Sequence, residues 1–134
     1  MSKMTVEVVT PERVVYSGEA SMVIARGVQG DLGILPNHMP LVTPLKVAPV
    51  RIKTDGDQET KIAVSGGFME VHGEKVTILA ETAELPEDID VDRAKRAKQR
   101  AEQRLNERQP DLDQRRAELA LQRALARLDI TNSL

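Results

Sequence analysis

All eight glycines of this 134-residue chain lie before residue 74. That asymmetry constrains the fold more than any single motif. Glycine serves tight turns and close strand contacts, and it weakens a helix interior by about 1 kcal/mol relative to alanine. A glycine-punctuated first part followed by a glycine-free second part therefore reads as strands and turns, then helices. Pro86 marks the seam. Residues 1–85 carry 8 basic and 11 acidic groups, whereas residues 86–134 carry 11 basic and 10 acidic groups, a charge density typical of exposed helices. The expected fold class is α+β with the two kinds of element segregated. An all-β domain spans 1–85 and an antiparallel two-helix hairpin spans 86–134.

Within the first part, residues 5–10 alternate loosely and end at Pro11-Glu12, a turn. Residues 14–16 and 20–25 are β-rich, with Ser17-Gly18 as a break or bulge between them. Residues 27–33 read as a glycine-rich loop. The two prolines, Pro36 and Pro40, then forbid a helix and favour extended chain. Residues 45–47 and 50–53 are short strands separated by Pro49. Asp55-Gly56 is a hairpin signal, Ser65-Gly66-Gly67 a further turn, and His72-Gly73-Glu74 the next hairpin. Short strands at this spacing indicate a sandwich or barrel. Tyr16 and Phe68 are the only aromatic residues, so the core must come from Val, Ile, Leu, Met and Ala.

After Pro86 the period changes. Asp88 or Asp90 can cap a helix running from about Asp90 to Arg108, with an apolar stripe of Val91, Ala94, Ala97, Ala101 and Leu105. Gln109-Pro110-Asp111 ends it. A second helix is capped by Asp111 or Asp113, and its stripe is Ala117, Leu121, Ala124, Leu125 and Leu128. Two alanine-lined stripes allow close approach but bury little apolar area, so the hairpin is expected to be marginally stable and able to change conformation.

Several function classes are excluded early. The chain has no cysteine and a net charge of −2. There is no disulfide framework, no thiolate metal site and no long-range attraction for nucleic acid. His38 and His72 are lone histidines without partners at ligand spacing. Residues 27–33 lack the Gly-Lys-Ser/Thr ending of a phosphate loop, and no helix follows. No apolar run approaches the about 18 residues needed to span a bilayer. The N-terminus leads directly into a strand-like segment and has no signal-peptide pattern.

The arginines of the second part are the informative group. Arg93 and Arg100 are seven apart and share a helical face; Arg123 and Arg127 are four apart and share another. If the helices fold back on each other, the start of the first meets the end of the second. Four guanidinium groups then converge near Asp90 and Glu84. Such a cluster repels itself unless an anion sits among it, and planar guanidinium suits phosphate. The bland alternative is a solvated helix face with local ion pairs, such as Glu102 with Arg96 and Glu118 with Arg115. A stand-alone nucleic-acid-binding β-domain with an Arg-rich hairpin is a further alternative. Interleaved acidic residues and the lack of stacking aromatics weigh against it.

Five stretches together resemble a known family: Val8-Val9-Thr10-Pro11; Gly30-Asp31-Leu32-Gly33-Ile34-Leu35-Pro36-Asn37-His38-Met39-Pro40-Leu41; Ser65-Gly66-Gly67-Phe68-Met69-Glu70-Val71; Val76-Thr77-Ile78-Leu79-Ala80; and Glu118-Leu119-Ala120. Over essentially its whole length the chain resembles the epsilon subunits of bacterial F-type ATP synthases. The resemblance implies a ten-stranded β-sandwich followed by the helical hairpin. It implies a non-catalytic rotor-stalk component, with the sandwich against the gamma subunit and the c-ring. The helices would restrain ATP hydrolysis by extending toward the alpha and beta subunits. It also implies a peripheral place on the cytoplasmic side of the cell membrane.

The run Ile89-Asp90-Val91-Asp92-Arg93-Ala94 further resembles the nucleotide motif Ile/Leu-Asp-x-x-Arg-Ala of the ATP-binding members. Matched residue by residue, the resemblance implies an ATP site of Glu84, Ile89, Asp90, Arg93, Ala94, Arg100, Arg123 and Arg127. ATP would be a regulatory ligand, with or without Mg2+, bound but not hydrolysed. The arginines would compensate phosphate charge. Asp90 and Glu84 are open to three roles: holding ribose hydroxyls, holding the adenine amino group, or orienting Arg93. By the same resemblance Asp31 and His38 fall where the family meets the c-ring and gamma subunit.

Overall fold

A computed structural model describes residues 3–107 and 110–134 of the chain. Eight strands precede the helices: β1 (Met4–Val9), β2 (Val14–Ala20), β3 (Met22–Gly27), β4 (Gly30–Ile34), β5 (Leu41–Pro44), β6 (Ala48–Lys53), β7 (Glu59–His72) and β8 (Lys75–Glu84). A 3-10 turn over Pro86–Asp88 follows, then α1 (Val91–Asn106) and α2 (Asp111–Ile130). The α+β class and the order of sandwich then hairpin agree with the sequence reading.

The strands pair in the order β2-β1-β8-β7-β6-β3-β4, with β5 on the far half of β7. One half holds β2, β1 and β5 with the hairpin ends of β7 and β8. The other holds β4, β3, β6 and the remainder of β7. The inward residues of both halves form one core. Ile34, Ile52, Ile62, Met69 and Ile78 are each completely buried. Phe68 faces outward at 52% exposure, so the core is aliphatic, as the near-absence of aromatics requires.

Eight strands stand where the family resemblance implies ten, because β7 and β8 are long enough to serve both halves. Ser65-Gly66-Gly67 is accordingly no turn. β7 runs through it, pairing with β6 before it and with β5 after it. Gly67 makes the corner possible: its φ is +116°, and a Cβ there would collide with the Leu79 carbonyl. A pattern of adjacent glycines looks the same for a chain reversal and for a strand that bends between two sheets.

Other expectations shift by a few residues. The break between β2 and β3 falls at Ser21, whose hydroxyl donates to the Lys53 and Thr54 carbonyls, rather than at Ser17-Gly18. Only Val28-Gln29 loops out of residues 27–33; Gly27 and Gly30 already pair, and β4 begins there. The short strand anticipated at 45–47 lies at Leu41–Pro44, leaving Leu45 as a single bridge to Gly27. Pro49 does not interrupt β6, because its missing N–H faces the side beyond the end of the β3 pairing. The turns at Asp55-Gly56 and at Gly73-Glu74 form as anticipated.

In the hairpin, Asp90 caps α1: its Oδ1 accepts the Arg93 backbone N–H at 3.0 Å. Asp88 instead ends the preceding 3-10 turn. Pro110 stands at the cap of α2, so Asp111 is its first helical residue and neither Asp111 nor Asp113 caps it. Arg108 and Gln109, placed at the end of the first helix by the sequence, lie outside the described residues. The alanine stripes face inward: Ala94, Ala101, Ala117 and Ala124 are buried. α2 lies between α1 and the outer face of β6 and β7. A second face of α2, Ala126 and Ile130, packs on Ala63 of β7 with Ile89 beside it. The sequence reading assigned α2 one apolar stripe; it has two.

Candidate functional site

The antiparallel hairpin brings the start of α1 to the end of α2 beside the last residue of β8. A cleft of about 290 Å³ opens there. Ile89 and Asp90, at the junction of the 3-10 turn with α1, line it together with Ala94 and Ala97 of α1. Arg93 and Arg100 of α1, Asp88 of the 3-10 turn, Glu84 of β8 and Arg127 of α2 complete the lining. Arg123 lines a narrower crevice that shares Glu84 and Arg127 with the cleft. Seven of the eight residues of the anticipated nucleotide site thus line this cleft, and Arg123 lines the adjoining crevice, although they are spread over 44 positions of sequence.

Local physics fixes these side chains. Asp90 holds one carboxylate oxygen on the Arg93 N–H, and its backbone carbonyl accepts the Ala94 N–H at 3.0 Å. The first turn of α1 is thereby set, and with it the direction in which Arg93 leaves the helix. Residues 93, 97 and 100 follow at helical spacing on the side facing α2. Arg127 Nε donates to Glu84 Oε1 at 2.6 Å, with both side chains about one-third exposed. Among the described residues, no carboxylate pairs with Arg93, Arg100 or Arg123. The expected self-repulsion of four guanidinium groups is therefore relieved directly at Arg127, while Arg93, Arg100 and Arg123 form no ion pair with a described carboxylate.

The cleft lining mixes the two charges: Glu84, Asp88 and Asp90 supply carboxylate acceptors, and Arg93, Arg100 and Arg127 supply guanidinium donors. Carboxylates accept hydrogen bonds from hydroxyl or amino groups, and guanidinium donates two parallel bonds to phosphate oxygens. Asp88 is also held at 3.5 Å by Arg13 from the β1–β2 turn. Asp88 and Ala97 were not named as site residues from sequence. Asp88 had been read as a possible cap and Ala97 as packing. Ala97 had a legible signal, since it continues the face of Arg93 and Ala94 by one turn; Asp88 had none beyond its closeness to Asp90.

The alternative roles fare differently. Arg115 and Glu118 pair at 3.3 Å as a local ion pair. Glu102 and Arg96 do not pair, because six residues of helix leave them about 120° apart around the axis and more than one turn apart along it. Asp31 is exposed on β4 and pairs with Arg26 at 3.2 Å. His38 stands in the turn after β4 with Nδ1 2.7 Å from the Met39 carbonyl oxygen. Neither reaches the cleft. Among the described residues no group of three or more His, Cys, Asp or Glu is placed to hold a metal ion.

Comparison with known proteins agrees along the whole chain. The beta-sandwich domain of the ATP synthase delta/epsilon chain matches residues 3–86, and the long alpha-helix domain of the same chain matches residues 87–132. An ATP synthase epsilon chain from Brevibacillus brevis is 77% identical, across 98% of this chain and 99% of the relative. One from Bacillus velezensis is 55% identical across 99% and 100%. Among solved structures, a chain in the cryo-EM structure of the Euglena gracilis mitochondrial ATP synthase has the same fold. Its TM-score is 0.81 at 19% identity, covering 96% of this chain and 81% of that one. A chain of the Tetrahymena thermophila mitochondrial ATP synthase central stalk and c-ring gives 0.66 at 18% identity, covering 97% of each. With both domain descriptions matched in order and such identity over nearly every residue, the chain belongs to the ATP synthase delta/epsilon chain family, as one of its epsilon chains.

Proposed function

We propose that this non-catalytic subunit of ATP synthase senses ATP through its helical hairpin: nucleotide binds the cleft, is not hydrolysed, and holds the helices against the sandwich. The observation that carries this reading is the gathering of Arg93 and Arg100 in the cleft and Arg123 in the crevice beside it, all without a carboxylate ion-pair partner among the described residues, together with the carboxylates of Glu84, Asp88 and Asp90. That combination suits a ligand with polyanionic and hydrogen-bond-donating groups, which describes ATP. The cleft lining contains no Ser or Thr, so a hydroxyl to hold a metal ion against the phosphates, a usual part of a nucleotide hydrolase, is not among its side chains. Carboxylates interleaved with the arginines also make a poor track for a nucleic-acid backbone.

The sandwich offers the seat on the rotor. Val14, Val9, Leu79, Phe68 and Pro44 are direct cross-strand neighbours from β2 to β5 and so lie in one row on one face. Val14, Leu79 and Phe68 are each at least half exposed. A contiguous apolar row on an outer sheet face marks a protein contact, and we assign it to the gamma subunit. Asp31 and His38 are the proposed contact points toward the c-ring and gamma subunit. The helices, when released, would reach the alpha and beta subunits and restrain hydrolysis. Among the described residues no helix is long and apolar enough to cross a membrane, and the complex itself supplies the membrane association, proposed on the cytoplasmic side.

Calorimetry of the full chain with ATP, ADP and AMP tests the site. Arg93→Ala and Arg123→Ala should each weaken ATP binding roughly ten- to a hundredfold, the loss expected for one charge-assisted contact. Lys98→Ala, outside the cleft, should change little. Equal losses at all three would indicate a diffuse charge effect and remove the specific site. A ligand that binds only the docked hairpin stabilises it by about 2.7 kcal/mol at a hundredfold excess over its Kd. Labels near Asp92 and Leu128 in the assembled complex should therefore report ATP-dependent energy transfer. Transfer that ignores ATP, while calorimetry still shows binding, would reduce the cleft to a structural pocket.

A further inference from the structure

The last turns of α2 meet the sandwich through two ion pairs of opposite polarity. Ala126 and Ile130 point down onto Ala63. At about 100° per residue, Arg127 and Asp129 emerge about 80° to either side of that apolar face. Arg127 is bonded to Glu84 of β8, the residue paired with Ala63 across the sheet. On the other flank, Asp129 Oδ1 lies 3.9 Å from Lys61 Nζ, two residues along β7 on the same face as Ala63. Arg51, the direct cross-strand neighbour of Lys61, lines the same groove as Asp129 and is bonded to Glu59. The helix thus presents a positive and a negative pin, and the sheet the complementary pair of sockets. Turning the helix end for end would set Arg127 against Lys61 and Asp129 against Glu84, two repulsive contacts in place of two attractive ones.

The two pins differ in what surrounds them. The Arg127–Glu84 pair lies in the cleft wall, where a phosphate would compete with Glu84 for the same guanidinium. The Asp129–Lys61 pair lines a separate groove on the other side of α2, with Arg51 and Pro49. Nothing that enters the cleft touches it.

We propose that Lys61 and Asp129, supported by Arg51, are positioning residues for the nucleotide cleft: they form a nucleotide-independent clasp that keeps α2 seated while Arg127 exchanges Glu84 for phosphate. Arg123, one turn before Arg127 and on the same flank, is held over the cleft by the same seating. The consequence for ATP rests on the nucleotide reading; the clasp itself rests on the contact alone.

The test uses charge reversal, because it separates seating from a general field. Asp129→Lys makes the chain more positive and Lys61→Glu makes it more negative. A field effect on a polyanion would move affinity in opposite directions. The clasp moves both the same way, weakening ATP roughly threefold to tenfold, from losing a networked surface pair and adding repulsion. Asp129→Lys combined with Lys61→Glu should restore binding to within about twofold. A second readout needs no nucleotide. The chain has no cysteine, so single cysteines at Asp57 and Arg116 can carry labels reporting hairpin seating. Each reversal should lower energy transfer in the absence of ligand, more so at low salt, and the double reversal should recover it. Opposite affinity changes, or failure of the double reversal to recover either signal, would overturn the clasp. If the unsubstituted chain binds no ATP, the nucleotide reading fails, while the ligand-free energy transfer still decides the clasp.

Discussion

The sandwich and the hairpin are built from different apolar material. In the sandwich the fully buried side chains are Ile, Val and Met drawn from both halves of the sheet, and no polar or charged residue is buried among the described residues. Among the described residues of the hairpin the buried ones are Ala94, Ala101, Ala117, Ala124 and Ala126, with Leu128 and Ile130 as the only large side chains. Each alanine removes a fraction of the area that an isoleucine does, at about 25 cal/mol per Å². The difference teaches how one small chain can combine a rigid seat with a releasable arm. The seat is held by packing that cannot be undone locally. The arm is held by a thin apolar seam plus ion pairs that a ligand or salt can reach.

The sharpest way to break that contrast is to separate the parts. Residues 1–85 alone should unfold cooperatively with β-type circular dichroism. Residues 86–134 alone should show little helix, because isolated helices of this length are marginal without tertiary packing. A stable, cooperatively melting hairpin fragment would remove the distinction between seat and arm.

The next effect is confined to the seat. Gly67→Ala must adopt a left-handed φ and drive its Cβ into the Leu79 carbonyl. A loss of about 3 kcal/mol or more is expected in urea unfolding of the full chain. A loss below about 1 kcal/mol would mean that the β7 corner can relax, and that the sandwich is less rigid than its core implies.

The arm should respond to smaller changes and respond locally. Asp90→Ala removes the cap of α1, worth about 1 kcal/mol. The expected signature is faster amide exchange in the first turn of α1 with unchanged exchange in β7 and β8. Asp90→Asn should largely restore protection, since an amide oxygen can still accept the Arg93 N–H. Accelerated exchange spreading into the sheet would show that the two parts open together.

The smallest expected effect is electrostatic and belongs to the seat. Glu59 is held below the usual carboxylate range, chiefly by the hydrogen bond from Arg51 and against the opposing pull of burial. A carboxyl depressed in the folded state contributes stability that is complete above its unfolded value, about 4.3, and is lost as pH falls through the lowered folded value. Glu59→Gln should therefore cost less than about 1 kcal/mol at neutral pH, given the partial exposure of both partners. In strong acid the variant and the parent should converge. A difference that persists there would have to come from packing.

Much of this was readable from the residues themselves, for definite reasons. The position of the glycines and of Pro86 separated strands from helices, because backbone freedom and the missing N–H act locally. Asp90 and the spacing of Arg93, Arg100, Arg123 and Arg127 gave the pole at which the two helices meet, because helical periodicity maps sequence directly onto faces. The hairpins at Asp55-Gly56 and Gly73-Glu74 were legible because their turn chemistry is local.

What tertiary structure alone decided is everything that depends on which distant surface a side chain meets. Whether Ser65-Gly66-Gly67 reverses the chain or bends it depends on β5 and β6 pairing with different halves of β7. Whether Arg127 adds to the positive cluster or is neutralised depends on Glu84 arriving at the end of β8. The second apolar face of α2 is only two positions, Ala126 and Ile130, too sparse to stand out by period, and it acquires meaning only where Ala63 lies beneath it. Asp129 and Lys61 are unremarkable charges in their own segments. Their pairing exists only because the seating of α2 sets an acidic flank against a basic strand, and no local rule of sequence encodes a contact between residues 68 positions apart.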